Sequence, residues 1–218
     1  MTIDGIWRAA GRTVHWRFGW DDAVERGAAS RLARRWVEEL VREHELFDWN
    51  GIQPARPGTK PRFTGRPDAD FSVSHSGRAV MVAVSHGSGL GVDVEAAPFR
   101  ALRSDALLRR MCSPHEAARA RALAPDDRAE HLAHLWTAKE AAVKASGRGL
   151  SHDFRSFEFD LPPHRTDLSA VAHLALALGQ ATVVSRVEIT DADVRPSDSE
   201  PTFSRAATAS QSTIEETR

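Results

Sequence analysis

The sequence predicts an α+β protein, and three observations carry that prediction. Short segments of alternating apolar residues are grouped between Ile3 and Glu95. Helical patterns with start and stop signals follow between Ser113 and Gly147, and strand-like segments return from Phe154. At 218 residues the chain is long enough for one large domain or two small ones.

The elements follow in order. Residues 3–8 and 14–18 read as strands around an Ala-Gly-Arg turn at Gly11. A helix is expected over 28–47, with Leu32, Trp36, Leu40 and Phe47 on one face. Glycines and prolines over 50–66 give a loop. Strands are expected over 71–75, 79–85 and 90–95. Ser76-Gly77-Arg78 is short enough to close the first two into a hairpin, and Gly87-Ser-Gly-Leu-Gly91 reads as a second hairpin connection. Ser113-Pro114-His115-Glu116 combines a serine cap, a proline at the first helical position and a glutamate at the third. A longer helix over 127–146 is expected to start on an Asp127/Glu130 capping box and to stop at Gly147. Residues 154–160 and 180–189 read as strands. From Thr190 onward large apolar residues nearly vanish, so 191–218 is expected to be disordered.

Composition narrows the function classes. An apolar share of 41% with 27% charged residues is that of an ordinary soluble protein, and a net charge of −1 gives no reason to expect a nucleic-acid or membrane partner. Cys112 is the one cysteine and cannot form an internal disulfide, which fits a reducing cytoplasm. Asp4, Arg8 and Arg12 leave no apolar run for a signal peptide, and residues 170–178 are far too short for a membrane helix. A cytoplasmic location is therefore expected.

The chemistry is concentrated in two places. In a strand, Asp93 and Glu95 of Gly91-Val92-Asp93-Val94-Glu95 point to one side and Val92 and Val94 to the other. Two neighbouring carboxylates repel unless a cation or proton lies between them, although an edge strand with a solvated acidic face has the same pattern. In Trp136-Thr137-Ala138-Lys139-Glu140-Ala141-Ala142-Val143-Lys144, Trp136, Glu140 and Lys144 share a helix face with Lys139 beside them. Taken alone, this could be an ordinary Glu-to-Lys pair. Together, Asp93, Glu95 and Glu140 offer an all-oxygen ligand set that suits Mg²⁺ rather than Zn²⁺. Lys139 and Lys144 would then place positive charge beside a polyphosphate substrate.

Phe71-Ser-Val-Ser-His-Ser-Gly77, Gly91-Val-Asp-Val-Glu95 and Trp136-Thr-Ala-Lys-Glu-Ala141, with Lys144 and Gly147-Arg-Gly-Leu150, resemble the ordered motifs of surfactin-type 4′-phosphopantetheinyl transferases. The resemblance covers about residues 58–160. It implies a monomer of two similar α+β halves related by a pseudo-twofold, roughly 1–97 and 98–190, with coenzyme A between them. It implies that Asp93, Glu95 and Glu140 hold Mg²⁺, that Ser74, His75, Lys139 and Lys144 meet the coenzyme's phosphates, and that Lys60 reaches its nucleotide. Here Thr59 separates Lys60 from Gly58, a departure from the family's Gly-Lys-Pro. Arg26 and Arg31, in a basic stretch otherwise read as a solvated face, are implied to bind the 3′-phosphate. Glu116 falls where the family has another acidic residue, and equally where a capping box needs a glutamate.

The implied reaction moves the phosphopantetheine arm of coenzyme A onto a serine of an apo acyl or peptidyl carrier protein, with Lys144 nearest the transferred group and Glu140 as the base. Two other readings use the same residues: a metal-dependent phosphohydrolase acting on coenzyme A or a nucleotide, and a non-catalytic carrier-binding module.

Overall fold

The computed structural model describes residues 2–21, 27–55, 59–147, 153–161, 168–179, 181–190, 193 and 212–215. Among these, strands β1 (Thr2–Ala9) and β2 (Arg12–Trp20) form an antiparallel hairpin, and helix α1 (Ala28–Glu43) follows. The short strands β3 (Ile52–Gln53) and β4 (Arg62–Phe63) pair within the expected loop. Strands β5 (Ala69–Ser76), β6 (Ala79–His86) and β7 (Leu90–Ala96) come next, then helices α2 (Asp105–Met111), α3 (Pro114–Arg121) and α4 (Pro125–Ser146). Strands β8 (Leu168–Leu178), β9 (Ala181–Thr190) and β10 (Ser212–Glu215) complete the described chain. No helix among the described residues is long and apolar enough to cross a membrane.

Strands are ordered β1-β2-β6-β5 in one four-stranded sheet and β10-β9-β8-β7 in the other. Alternation decides how they stack. Trp7, Val14, Trp16, Phe18, Met81 and Ala83 leave the first sheet on one face and meet Leu90, Val92, Val94, Ala172, Leu174 and Leu176 from the second. The outer face of the first sheet carries Phe71, Val80, Val82 and Val84, covered by Trp36, Val37, Leu40 and Val41 of α1. The outer face of the second carries Val171, Ala175 and Val184, covered by α4. The result is four layers, helix–sheet–sheet–helix, with β5 and β7 side by side at one edge.

Several sequence expectations are corrected. α1 ends at Glu43 rather than 47; Phe47 lies beyond it but still packs on Phe63 at 4.9 Å between ring centroids. The 87–91 connection is not a hairpin: β6 pairs with β2 and β5, while β7 pairs with β8, so the chain crosses from one sheet to the other. Arg12 clamps that crossing, donating to the carbonyls of His86, Gly87 and Ser88. α4 begins two residues earlier than the expected 127, at Pro125, with Ala124 at the cap and no side-chain cap bond. Proline's fixed φ and the acidic first turn, Asp126 and Asp127, suffice there. Gly147 does end the helix, at φ +68°. Residues 154–160 hold a short 3₁₀ turn (Phe154–Ser156) instead of a strand. The disorder expected after 190 does not extend to Ser212–Glu215, which pair with β9.

Candidate active site

The site lies where β5, β7 and α4 meet. On β5 the residues at every second position, Asp70, Ser72, Ser74 and Ser76, aim at β7. The two strands belong to different sheets, so side chains rather than a backbone ladder join them. The Leu90 amide donates to Asp70 Oδ2 at 2.9 Å and the Val92 amide to Ser72 Oγ at 3.0 Å. Ser74 Oγ donates to Asp93 Oδ1 at 2.7 Å, and Ser76 Oγ to Glu95 Oε2 at 2.5 Å. This seam fixes the acidic strand against the first sheet.

Gly91, Asp93 and Glu95 share the face of β7 that meets α4. Gly91 permits the contact: a Cβ there would overlap the Ala141 carbonyl oxygen and lie 2.6 Å from the Ala145 amide nitrogen. The approach brings Lys144 onto the strand, where its ammonium donates to Asp93 Oδ1 at 2.6 Å, Ser74 Oγ at 3.1 Å and the Val92 carbonyl at 3.1 Å. Glu140, one turn earlier and 8% exposed, faces the same strand.

Three carboxyls here are pushed above the usual range, each by burial first. Asp93, at 6% exposure, is held down in part by Lys144 and Ser74. The Asp93 charge raises Glu95, while the Ser76 hydroxyl lowers it. Glu140 feels the negative charges of both Asp93 and Glu95, with Lys144 opposing. Such mutual repulsion is what a bound cation relieves.

Asp93 Oδ2 is also buried with no hydrogen-bond partner. An acceptor left bare in this way, beside two further carboxylates, fits a hard cation with oxygen ligands. The ligand set is not closed: among the described residues no three such groups are already gathered at a metal-binding distance. Lys144 lies against Asp93 instead.

The other predicted residues are placed as follows. Lys139 is fully buried and turned into the core behind α4, where its ammonium donates to Glu116 at 2.7 Å and to the carbonyls of Met111, Phe154 and Phe157 at 3.0, 2.6 and 2.8 Å. That engages every N–H it has, so none remains for a phosphate. Glu116 completes the Ser113 capping box, and its other oxygen accepts from the Phe159 amide. Lys60 bonds both oxygens of Asp70 at 2.8 Å and the Leu90 carbonyl at 2.6 Å, at the far end of the seam. His75 is exposed on the face of β5 opposite Ser74, and Arg31 is exposed on the first turn of α1. Arg26, Gly58, Arg148, Gly149 and Leu150 lie outside the described residues. Sequence reasoning missed Asp70, Ser72 and Ser76 as partners of β7; their signal is the polar alternation of Asp70-Phe-Ser-Val-Ser-His-Ser76.

Residues 89–184 match the family model of the 4′-phosphopantetheinyl transferase superfamily. The chain is similar to a 4′-phosphopantetheinyl transferase of Bacillus subtilis and to 4′-phosphopantetheinyl transferase Sfp of Bacillus subtilis strain 168. Each is 34% identical over 102 residues, which cover 47% of this chain and 44% of the relative. It is also similar to the human L-aminoadipate-semialdehyde dehydrogenase-phosphopantetheinyl transferase, 25% identical over 154 residues, which cover 66% of this chain and 50% of that protein. The chain thus spans about half the length of the relatives it matches.

Proposed function

We propose, on the premise of the match between residues 89–184 and the 4′-phosphopantetheinyl transferase superfamily, that this chain transfers the 4′-phosphopantetheine group of coenzyme A to a serine of an apo acyl or peptidyl carrier protein. The products are the holo carrier and 3′,5′-ADP. The observation that carries the reading is the cluster of Asp93, Glu95 and Glu140 around Lys144, built from β7 and α4, which both lie within the matched stretch. In this reading the protein acts as a monomer in the cytoplasm. The two α+β halves of this reading are 1–97 and 98–190; β7 belongs to the first by sequence and pairs with β8 of the second.

Asp93, Glu95 and Glu140 are the residues that would hold Mg²⁺, and the bare Asp93 Oδ2 supports that assignment. Held there, Mg²⁺ would supply charge neutralisation for the phosphates of coenzyme A. The protein's own groups do the rest. Lys144 leaves Asp93 for the transferred phosphoryl group and stabilises the charge that develops there. Ser74 stays on Asp93 and keeps its carboxylate oriented. The carrier's serine oxygen forms a bond to the β-phosphorus while the bridging P–O bond breaks, and the electron pair leaves with 3′,5′-ADP. Glu140, its pKa raised by burial and by Asp93, takes the serine proton. Arg26, Arg31, His75 and Lys60 serve the 3′-phosphate and nucleotide in this reading, Lys60 only after leaving Asp70. Lys139 is assigned a structural role.

Intact-mass spectrometry of an apo peptidyl carrier protein incubated with the protein, coenzyme A and Mg²⁺ tests the proposal. A gain of one phosphopantetheinyl group, lost without metal and lost in Glu140→Gln, is expected. No gain across several carriers with the folded protein would sink it, and release of 3′,5′-ADP without a carrier would indicate a hydrolase.

A further inference from the structure

The seam of β5 holds the acidic residues of β7 in two different ways. Asp93 is met by a cation, the Lys144 ammonium at 2.6 Å, together with Ser74. Glu95 is met by a neutral donor, the Ser76 hydroxyl at 2.5 Å. A neutral donor orients a carboxylate without cancelling its charge, whereas an ammonium at the same place would neutralise it. A carboxylate held in this way keeps its charge for something else.

Ser76 is well placed to set that orientation. It is the last residue of β5, before a two-residue turn in which Ser76 pairs with Ala79 and Gly77 has φ +57°. The turn is tied down twice: the Asp21 amide donates to the Arg78 carbonyl at 2.7 Å, and Arg78 Nε donates to the Asp21 carbonyl at 3.0 Å. A neutral donor on an anchored element therefore meets this carboxylate.

We propose that Ser76 is a positioning residue for the divalent cation: it holds the Glu95 carboxylate correctly turned for metal binding. The inference rests on the metal-dependent transferase reading above. Its test is titration of the full-length protein with Mn²⁺, followed by electron paramagnetic resonance, for wild type, Ser76→Ala, Ser76→Thr and Ser76→Val. Ser76→Ala should weaken Mn²⁺ binding about 10-fold, with at most a small drop in melting temperature from the lost seam bond and the KM for coenzyme A at saturating metal unaltered. Ser76→Thr keeps the hydroxyl and should restore binding. Ser76→Val has the shape of threonine without the hydroxyl, so it should reproduce the loss and serves if Ser76→Ala fails to fold. Wild-type affinity in both Ser76→Ala and Ser76→Val would overturn this inference and leave the transferase reading intact. A wild-type protein that binds no Mn²⁺ would overturn the metal reading, and this inference with it.

Discussion

The backbone of Gly91 lies directly against the Ala141 carbonyl of α4, with no room for a side chain between them. That contact lets Asp93, two residues along β7, meet Lys144, three residues along α4. A methyl group must push the helix off the strand. Gly91→Ala is therefore expected to destabilise the fold by about 1–3 kcal/mol and to separate the two halves of the site. Urea unfolding checks the first effect, and carrier modification at a temperature where the variant is folded checks the second. Unchanged stability would mean that α4 does not approach β7 so closely.

Lys139 and Glu116 form an ion pair that is 0% and 2% exposed at its two side chains. Sequence spacing puts Lys139 beside the phosphates; the structure puts it in the core. The two placements predict opposite phenotypes. Lys139→Met leaves Glu116 charged, buried and unpaired, along with carbonyls that lose their donor, and should cost about 3–5 kcal/mol. Replacing Glu116 with Gln in the same chain removes the stranded charge and should recover part of that loss. A phosphate-binding lysine would instead raise the KM for coenzyme A and leave the urea midpoint where it was.

What the sequence revealed, and what it hid, follows from where each side chain meets its partner. The period of a strand was enough to put Asp93 and Glu95 on one face, and the period of a helix enough to put Glu140 and Lys144 on another. Both assignments depend only on near neighbours. Lys139 lies one position from Glu140, a rotation of about 100°, and only the buried neighbours Leu135, Ala138 and Ala142 show that this direction points inward. β8 escaped for a related reason. Buried on both faces, by the first sheet on one side and α4 on the other, it has no alternation to read. Residues 154–160 have strand-like aromatic spacing, but the carbonyls of Phe154 and Phe157 turn toward Lys139 and the Phe159 amide toward Glu116. A buried charge shapes that loop, and no local pattern records it. The crossing at 87–91 was hidden because a short loop looks the same whether or not its two strands pair.

Lys144 carries the prediction closest to the chemistry. Its side chain is 31% exposed, but its removal strands the buried Asp93 carboxylate, so some stability is lost as well. It is also the cation nearest Asp93, and in the proposed reaction it stabilises charge on the transferred group. Lys144→Ala is expected to lower kcat about 100-fold, measured by carrier modification under saturating coenzyme A and metal at a temperature where the variant is folded. A kcat within a factor of two of wild type would remove Lys144 from the mechanism.

His173 gives the fold a pH dependence that can be separated from the chemistry. It stands opposite Asp93 in the β7–β8 register, and its Nδ1 lies 2.7 Å from Thr137 Oγ1. The Thr137 hydroxyl donates to the Ala133 carbonyl at 2.8 Å, so Nδ1 is the donor to Oγ1. Nε2 is then the bare nitrogen, buried with no hydrogen-bond partner. Burial first, and then the Arg186 charge, push the imidazole down to about 3 from an ordinary 6.5. Between those values the unfolded chain binds a proton that the folded chain refuses. The neutral histidine's contribution is therefore complete above pH 6.5 and is lost as pH falls toward 3, at about 1.4 kcal/mol per pH unit. The raised carboxyls of Asp93, Glu95 and Glu140 act with the opposite sign, since their protonation on acidification favours the folded state. Comparing wild type with His173→Gln cancels that common contribution. Between pH 7.5 and 4.5, urea unfolding should show wild type losing about 2–3 kcal/mol more than His173→Gln. Parallel profiles would mean that His173 can be protonated in the folded protein.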